Sequence, residues 1–349
     1  MKRQELLSLV ESGMPVSDAD VSGEDLSGAD LSGGIFERVV LRGANLRGAN
    51  LEELALIGCD LSGADLTEAK LSHAVLVDST LSATVLRGAK LVSATVKGST
   101  LVGVDLAGAD LSLATLVGCS LANVSLAGAE LYRASIVTSQ LDAVDLSGAN
   151  LTKLVIHETD LRTVKLSAAR FQGTILVGCT LAGVDLRGAK LAGTQLIGGK
   201  LAGVDLRGAD VTSCNFSNAD LTGAHLDEAV AKLAVFSGAK LGKATLRKAD
   251  LSGAVFDLAQ LDAADAEKAT LERAVLMDAS CRGARFVDAD LSFAELSRAD
   301  LSGADFAGAK LTRARMHRVQ DDGATFSDRS AALGDHAQLA AAETWKPTF

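Results

Sequence analysis

The sequence predicts an all-β fold, a square parallel β-helix (β-solenoid) of about 15 coils. Three observations predict it. A large apolar residue recurs at every fifth position with no insertion or deletion, residues twenty apart share character, and a chain that is 48% hydrophobic holds only 3% aromatics. Ordinary globular cores of this size use more Phe, Tyr and Trp. A core of small and medium aliphatics belongs to something narrow and regular.

The period comes first, because a missed repeat misreads the whole fold. Counting by fives from Val21 through Leu26, Leu31 and Phe36 to Met316 gives 60 positions. Only Ala231, Ala266 and Cys281 among them are not Leu, Ile, Val, Phe or Met. This is the central position. Two residues before it stands a small residue, usually Ala, as at Ala29, Ala44, Ala64 and Ala249. Gly or another small residue often follows two after it. A period of five fits neither a 3.6-residue helix nor a two-residue strand alternation. It fits a chain that turns a corner every five residues and points its small and large residues inward.

The number of sides is also readable. If four pentapeptides close one coil, residues twenty apart stack. Val104, Val124, Val144, Val164, Val184 and Val204 make one such column, and Ala29 to Ala229 another. Phe216, Phe236 and Phe256 make a third, and Phe286, Phe306 and Phe326 a fourth. A three-sided coil would give twenty no special weight.

The consensus Ala-(Asp/Asn)-Leu-(Ser/Arg)-Gly, as in Ala64-Asp65-Leu66 and Ala299-Asp300-Leu301-Ser302-Gly303, resembles the pentapeptide-repeat family. The resemblance covers roughly residues 16–328, about nine-tenths of the chain. It implies a right-handed quadrilateral parallel β-helix with coils about 4.8 Å apart, hence a rod on the order of 75 Å long. Each central Leu then contributes about 1.5–3 kcal/mol before chain entropy is subtracted. Stability should be close to additive over neighbouring coils.

A solenoid has two open ends whose backbone groups need cover. The sequence predicts short helical caps at both termini. Residues 1–15 form the N-terminal cap, with a helix over 2–12 that offers Leu6, Leu7, Leu9 and Val10 to the first coil and stops at Gly13 and Pro15. The repeat body is 16–328. The register fails at Asp321, although Phe326 still fits an inward position. Residues 329–349 read as an Ala-rich helix and tail, in which Leu333, Leu339, Trp345 and Phe349 could cap the last coil or pair two chains. Leu54 and Leu154 are large where Ala is expected, so that wall should bulge locally.

No constellation for chemistry emerges. Of the five cysteines, Cys59, Cys119, Cys179 and Cys214 take the small inward position and Cys281 is central. Cys59, Cys119 and Cys179 are three coils apart, about 14 Å, too far for a disulfide or a shared metal. They read as small buried apolar residues. His73, His157, His225, His317 and His336 fall on different walls or far apart. Glycines follow the solenoid spacing and form no nucleotide fingerprint. No catalytic residue, cofactor or metal is expected.

The formal net charge of −10 argues against direct nucleic-acid binding, which needs Lys and Arg on phosphates. The N-terminus is too short in apolar residues and too often interrupted, by Glu5, Ser8 and Glu11, for a signal peptide. No stretch approaches 18 apolar residues, so no membrane insertion is expected. The expected place is the cytoplasm, with signal-independent export left open.

Function therefore falls to the outward faces. One wall carries Asp65, Asp105, Asp145, Asp185 and Asp205 beside Arg47, Arg87, Arg187, Arg207 and Arg247, and reads as a solvated face of weak ion pairs. Another wall flanks the centres at 56, 76, 96 and onward. Its outward residues include Ile57, Val75, Val77, Val117, Val137, Val155, Ile175, Val177 and Ile197, interrupted by Lys97 and His157. Val235, Val255, Val275 and Met277 continue it. Either this stripe reflects β propensity alone, or it is an interface, since contiguous exposed apolar area usually has a use.

The leading reading is a non-enzymatic scaffold or adaptor that binds a protein partner, whose identity the sequence does not give, or a second copy of the chain as a homodimer. The resemblance implies, as one setting, accessory service to a bacterial secretion system. It also implies an alternative, because gyrase-protecting members of the family are acidic rods that occupy the DNA groove of that type II topoisomerase. The five aspartates would then be the working face. Interleaved arginines and the absence of repeat-breaking loops speak against that alternative.

Overall fold

Almost every five-residue side ends on a position in the left-handed region. The residue two past the centre has positive φ, whether glycine (Gly43, 62°) or not (Arg38, 54°; Leu113, 61°), with Thr163 the exception between Val21 and Met316. An L-residue there costs about 1–2 kcal/mol that glycine does not, which explains the recurrent Gly. The aspartate before the centre does local work as well. Asp65 Oδ1 accepts the Thr67 N–H at 2.9 Å and its hydroxyl at 2.6 Å. Asp300 does the same for Ser302, at 3.0 and 2.6 Å. Asp and Asn are favoured at such turns for this bond.

Coils join through parallel backbone ladders. Leu46 N–H donates to the Asp65 carbonyl at 2.7 Å, and Asp65 N–H donates to the Ala44 carbonyl at 3.0 Å. The computed structural model, which describes residues 1–336 and 338, is a β-solenoid of about 16 turns. Val16 and Phe326 extend the counted run at either side. All 60 central residues from Val21 to Met316 are buried. The inward columns are buried too, except that Val184, Ala189 and Phe326 are half-buried.

The chain divides into two compact units, Met1–Thr180 and Leu181–Phe349. The first begins with helix α1 (Arg3–Glu11) and holds strands β1 (Val16–Ser17), β2 (Ile35–Glu37), β3 (Ala55–Ile57), β4 (Val75–Val77), β5 (Thr95–Lys97), β6 (Thr115–Val117), β7 (Ser120–Ala122), β8 (Ser135–Val137), β9 (Gln140–Asp142), β10 (Val155–His157) and β11 (Ile175–Val177). Nine of these form one parallel sheet, in the order β1-β2-β3-β4-β5-β6-β8-β10-β11, and β7 pairs with β9. The register advances by twenty residues, as in Ile35↔Ala55 and Ala55↔Val75. The second unit holds β12 (Asp305–Phe306) and β13 (Thr325–Phe326), with isolated parallel bridges elsewhere, and its phenylalanines stack. Phe216, Phe236 and Phe256 lie 5.0 and 4.8 Å apart, and Phe286, Phe306 and Phe326 lie 4.9 Å apart.

Helix α1 caps the first coil by backbone chemistry more than by apolar contact. Leu6 is fully buried, but Leu7, Leu9 and Val10, expected to join it, are only half-buried. The first coil has no coil before it, so its carbonyls lack donors. The amino terminus donates to the Asp20 carbonyl at 2.7 Å and Arg3 to that of Asp25 at 2.7 Å and of Ser27 at 3.3 Å. Lys2 adds an ion pair with Glu24 at 2.6 Å.

Two expectations are corrected. The helix expected from 329 onward is absent over 329–336. There the backbone lies on the last coil: Arg313 and Met316 donate to the Ala331 and Leu333 carbonyls at 2.8 Å, and Leu333 donates to Ala314 at 2.8 Å. A helix would spend these groups internally and leave the edge of the coil unpaired. Of the remainder of that expected helix only Gln338 is described, and it is helical; the other residues lie outside the described ones. The bulge expected at Leu54 and Leu154 is also absent. Both are fully buried, and the ladders beside them keep the twenty-residue register. At Leu54 the room comes from the previous coil, where a Cβ on Gly34 would lie 3.1 Å from Leu54 Cδ1.

Candidate functional site

The nine-stranded sheet of the first unit is the apolar wall of the sequence. Strands form there because most residues flanking the centres are β-branched, as at Val75, Val77, Thr115, Val117, Val155, Ile175 and Val177. On the turn-rich walls the flank is often Asp or Asn, whose side-chain oxygen accepts the backbone N–H two residues on. A strand side changes the corner after it. On regular corners the small residue donates back to the centre, as Ala44 N–H does to the Leu41 carbonyl at 3.1 Å. After β3, β4 and β6 this donor goes to the next coil: Cys59 N–H to Ser79 Oγ at 3.1 Å, Ser79 to Ser99 Oγ at 3.1 Å and Cys119 to Ser139 Oγ at 3.0 Å, whereas after β11 Cys179 donates back to the Leu176 carbonyl at 3.5 Å. Cys59, Ser79, Ser99, Cys119, Ser139, Thr159 and Cys179 line this one internal corner.

The structure brings Ile57 through Val177 onto this one sheet, but not Ile197 or its expected continuation at Val235, Val255, Val275 and Met277, which lie in the second unit outside any strand. Ile57 and Val75 are about two-fifths exposed, at 42% and 38%, and Val77, Val117, Val137, Val155, Ile175 and Val177 are half-buried. Ile197 lies in the second unit, half-buried and outside any strand. One member was overlooked: Ile35, 44% exposed in β2, sits one coil before Ala55 and the twenty-residue period points to it. The row from Ile35 through Thr95 and Thr115 to Ile175 carries no charge. The parallel row beginning at Glu37 is interrupted at Lys97 and His157, both exposed.

In each unit the aspartates have cations beside them. Asp65 pairs with Arg47 at 3.0 Å, Asp105 with Arg87, Asp145 with Lys165 at 3.7 Å, Asp185 with Arg187 at 2.6 Å and Asp205 with Arg207 at 2.5 Å. Arg187, by hydrogen bond and charge, holds the Asp185 carboxyl down at about 2. In the second unit Asp265 joins Arg247 at 2.6 Å and Arg285 at 2.8 Å.

All five cysteines are free and buried. Burial pushes the Cys179 thiol up to about 11 and those of Cys214 and Cys281 to about 12, far from thiolate chemistry. Among the described residues no group of His, Cys, Asp and Glu could hold a metal, and no helix is long and apolar enough to cross a membrane. Asp257 Oδ1 is the one buried side-chain polar atom without a hydrogen-bond partner among the described residues. Its carboxyl is pushed up by burial and by Asp278. At the C-terminus Leu333 is half exposed while its backbone bridges Arg315. Leu339, Trp345 and Phe349 lie outside the described residues.

A family model described as pentapeptide repeats matches the chain in eight copies, over 25–63, 64–101, 99–136, 165–201, 200–229, 214–253, 254–292 and 289–328. No curated protein is significantly similar. Among solved structures, HetL, a pentapeptide repeat protein involved in heterocyst differentiation regulation from the cyanobacterium Nostoc sp. strain PCC 7120, is 27% identical. That match covers 90% of this chain and 97% of HetL, with a TM-score of 0.19. A pentapeptide repeat protein from the Arabidopsis thaliana thylakoid lumen is 32% identical over 30% of this chain and 70% of its own, at a TM-score of 0.23. Full-length QnrB1, a plasmid-mediated fluoroquinolone resistance protein, is 20% identical over 62% and 92%, at 0.24. The repeat matches carry the assignment; the structural scores add nothing to it.

Proposed function

Because the chain belongs to the pentapeptide-repeat family, we propose that it is a non-catalytic scaffold or adaptor that binds a protein partner through the outer face of its nine-stranded sheet. One observation carries this reading. From Ile35 to Ile175, eight successive strands present an uncharged outer row that ends in β-branched residues, beside a second row of mostly Ile and Val. Contiguous apolar surface of this kind usually meets a partner. The buried, protonated thiols support a non-catalytic reading. The alternative, a DNA mimic directed at a type II topoisomerase, would need a bare acidic face. Each of its five aspartates has a cation beside it.

The test is capture of a partner from host lysate by the wild-type chain and by the variant Val155→Asp/Ile175→Asp/Val177→Asp, with folding of both checked by circular dichroism. A protein recovered by wild type and lost by the folded variant supports the reading. A type II topoisomerase recovered by both would replace it with the alternative.

A further inference from the structure

The geometry points to a single amphipathic helix, with a carboxylate near its midpoint, as the element that seats on this sheet face; we infer this on the reading just given, and it names the class of partner. The first reason is backbone saturation. Each interior strand is paired on both sides, as β5 is with β4 and β6. The face therefore offers no free edge to an added strand. An extended segment laid across it would lose the hydration of its own backbone without replacement. A helix brings its hydrogen bonds with it.

The second reason is size. The eight strands β2–β6, β8, β10 and β11 span about 34 Å at about 4.8 Å per strand, and each three-residue side is about 10 Å wide. That matches one helix of about 22 residues, whose diameter is about 10–12 Å. The strip offers roughly 350 Å² to each partner, and the resulting total of about 700 Å² is short of the roughly 1,200 Å² that a specific pair of globular surfaces buries.

The third reason is charge. Lys97 lies near the middle of the strip, exposed, with no ion-pair partner among the described residues. Two copies stacked face to face about the middle of the strip would set Lys97 against apolar positions of the second copy or against its own equivalent. Either arrangement buries an unpaired ammonium. A helix that places Asp or Glu opposite Lys97 satisfies it. Charged residues edge the strip at Asp78 and Glu158, giving the polar rim expected around an apolar contact.

The test is selection on the full-length chain from a displayed library of random 22-residue segments. Affinities of the enriched segments are then measured by fluorescence anisotropy. We expect apolar residues at helical spacing, an acidic residue near the midpoint, and about tenfold weaker binding to Lys97→Glu. Replacing the acid with Lys should restore binding to that variant. Binding to Val155→Asp/Val177→Asp should fall at least tenfold. No enrichment, enriched segments without helical spacing, or indifference to Lys97→Glu would overturn the helix. If partner capture still fails in Val155→Asp/Ile175→Asp/Val177→Asp, the wall reading survives that result; if capture persists, both are overturned.

Discussion

The backbone N–H of Cys59 donates to the hydroxyl oxygen of Ser79 in the next coil, 3.1 Å away. The same hydroxyl donates onward to the carbonyl of Val77, at 3.0 Å, or Leu56, at 3.2 Å. One side chain thus satisfies the donor that the strand side leaves without its usual carbonyl. Corners of this kind follow the three-residue strands β3, β4 and β6 of the apolar wall.

Removal of that hydroxyl should be costly. Ser79→Ala leaves the Cys59 N–H buried and unpaired, a loss of about 1–3 kcal/mol. Urea unfolding followed by circular dichroism measures it. A variant as stable as wild type would show that the corner does not depend on the hydroxyl.

Strain at the turns should be relieved by glycine. Thr138 is β-branched yet has φ of 50°, while Gly118, one coil before it in the same column, has φ of 62°. Thr138→Gly should stabilise by about 0.5–1 kcal/mol, the steric gain less the added freedom of the unfolded chain. Gly118→Thr should destabilise by about 0.5–1 kcal/mol, the same balance reversed. Equal melting curves for both would refute the assignment of strain to this position.

The Arg187–Asp185 pair should titrate in acid. Arg187 holds the Asp185 carboxyl at about 2, below its ordinary 3.8. The folded value is depressed, so the pair's contribution is complete above 3.8 and is lost as pH falls toward 2. Carboxyl NMR titration should show the Asp185 midpoint rising toward its ordinary value in Arg187→Gln. An unmoved midpoint would mean that solvent screens the pair.

The thiols should be silent in the native protein. With Cys179 at about 11 and Cys214 and Cys281 at about 12, an aromatic disulfide reagent at pH 8 should find no reactive cysteine until urea is added. All five should then react. Rapid reaction of one thiol without denaturant would place it outside the core.

The sequence made the core legible because each inward position tolerates one class of side chain. The twenty-residue columns of Val and Phe reported how the coils stack, and the β-branched flanks located the sheet. Other features were hidden for physical reasons. The change of corner was written in one column, from Cys59, Ser79 and Ser99 in the first unit to Gly199, Ala219 and Ala239 in the second. Its meaning depends on where a backbone donor goes, which composition does not report. Leu54 looked like a bulge because its room comes from Gly34, twenty residues away. The helix expected from 329 is absent over 329–336 because the open edge of a coil competes for the same backbone groups. Ile35 was missed although the period pointed to it.

The most direct test of the working surface is the affinity of the captured partner for two variants measured side by side by calorimetry. One is Val155→Asp/Ile175→Asp/Val177→Asp on the sheet, the other Asp65→Lys/Asp105→Lys/Asp145→Lys on the charged face. We predict at least a tenfold loss for the first and less than twofold for the second. A loss confined to the aspartate variant would contradict the assignment of the apolar face.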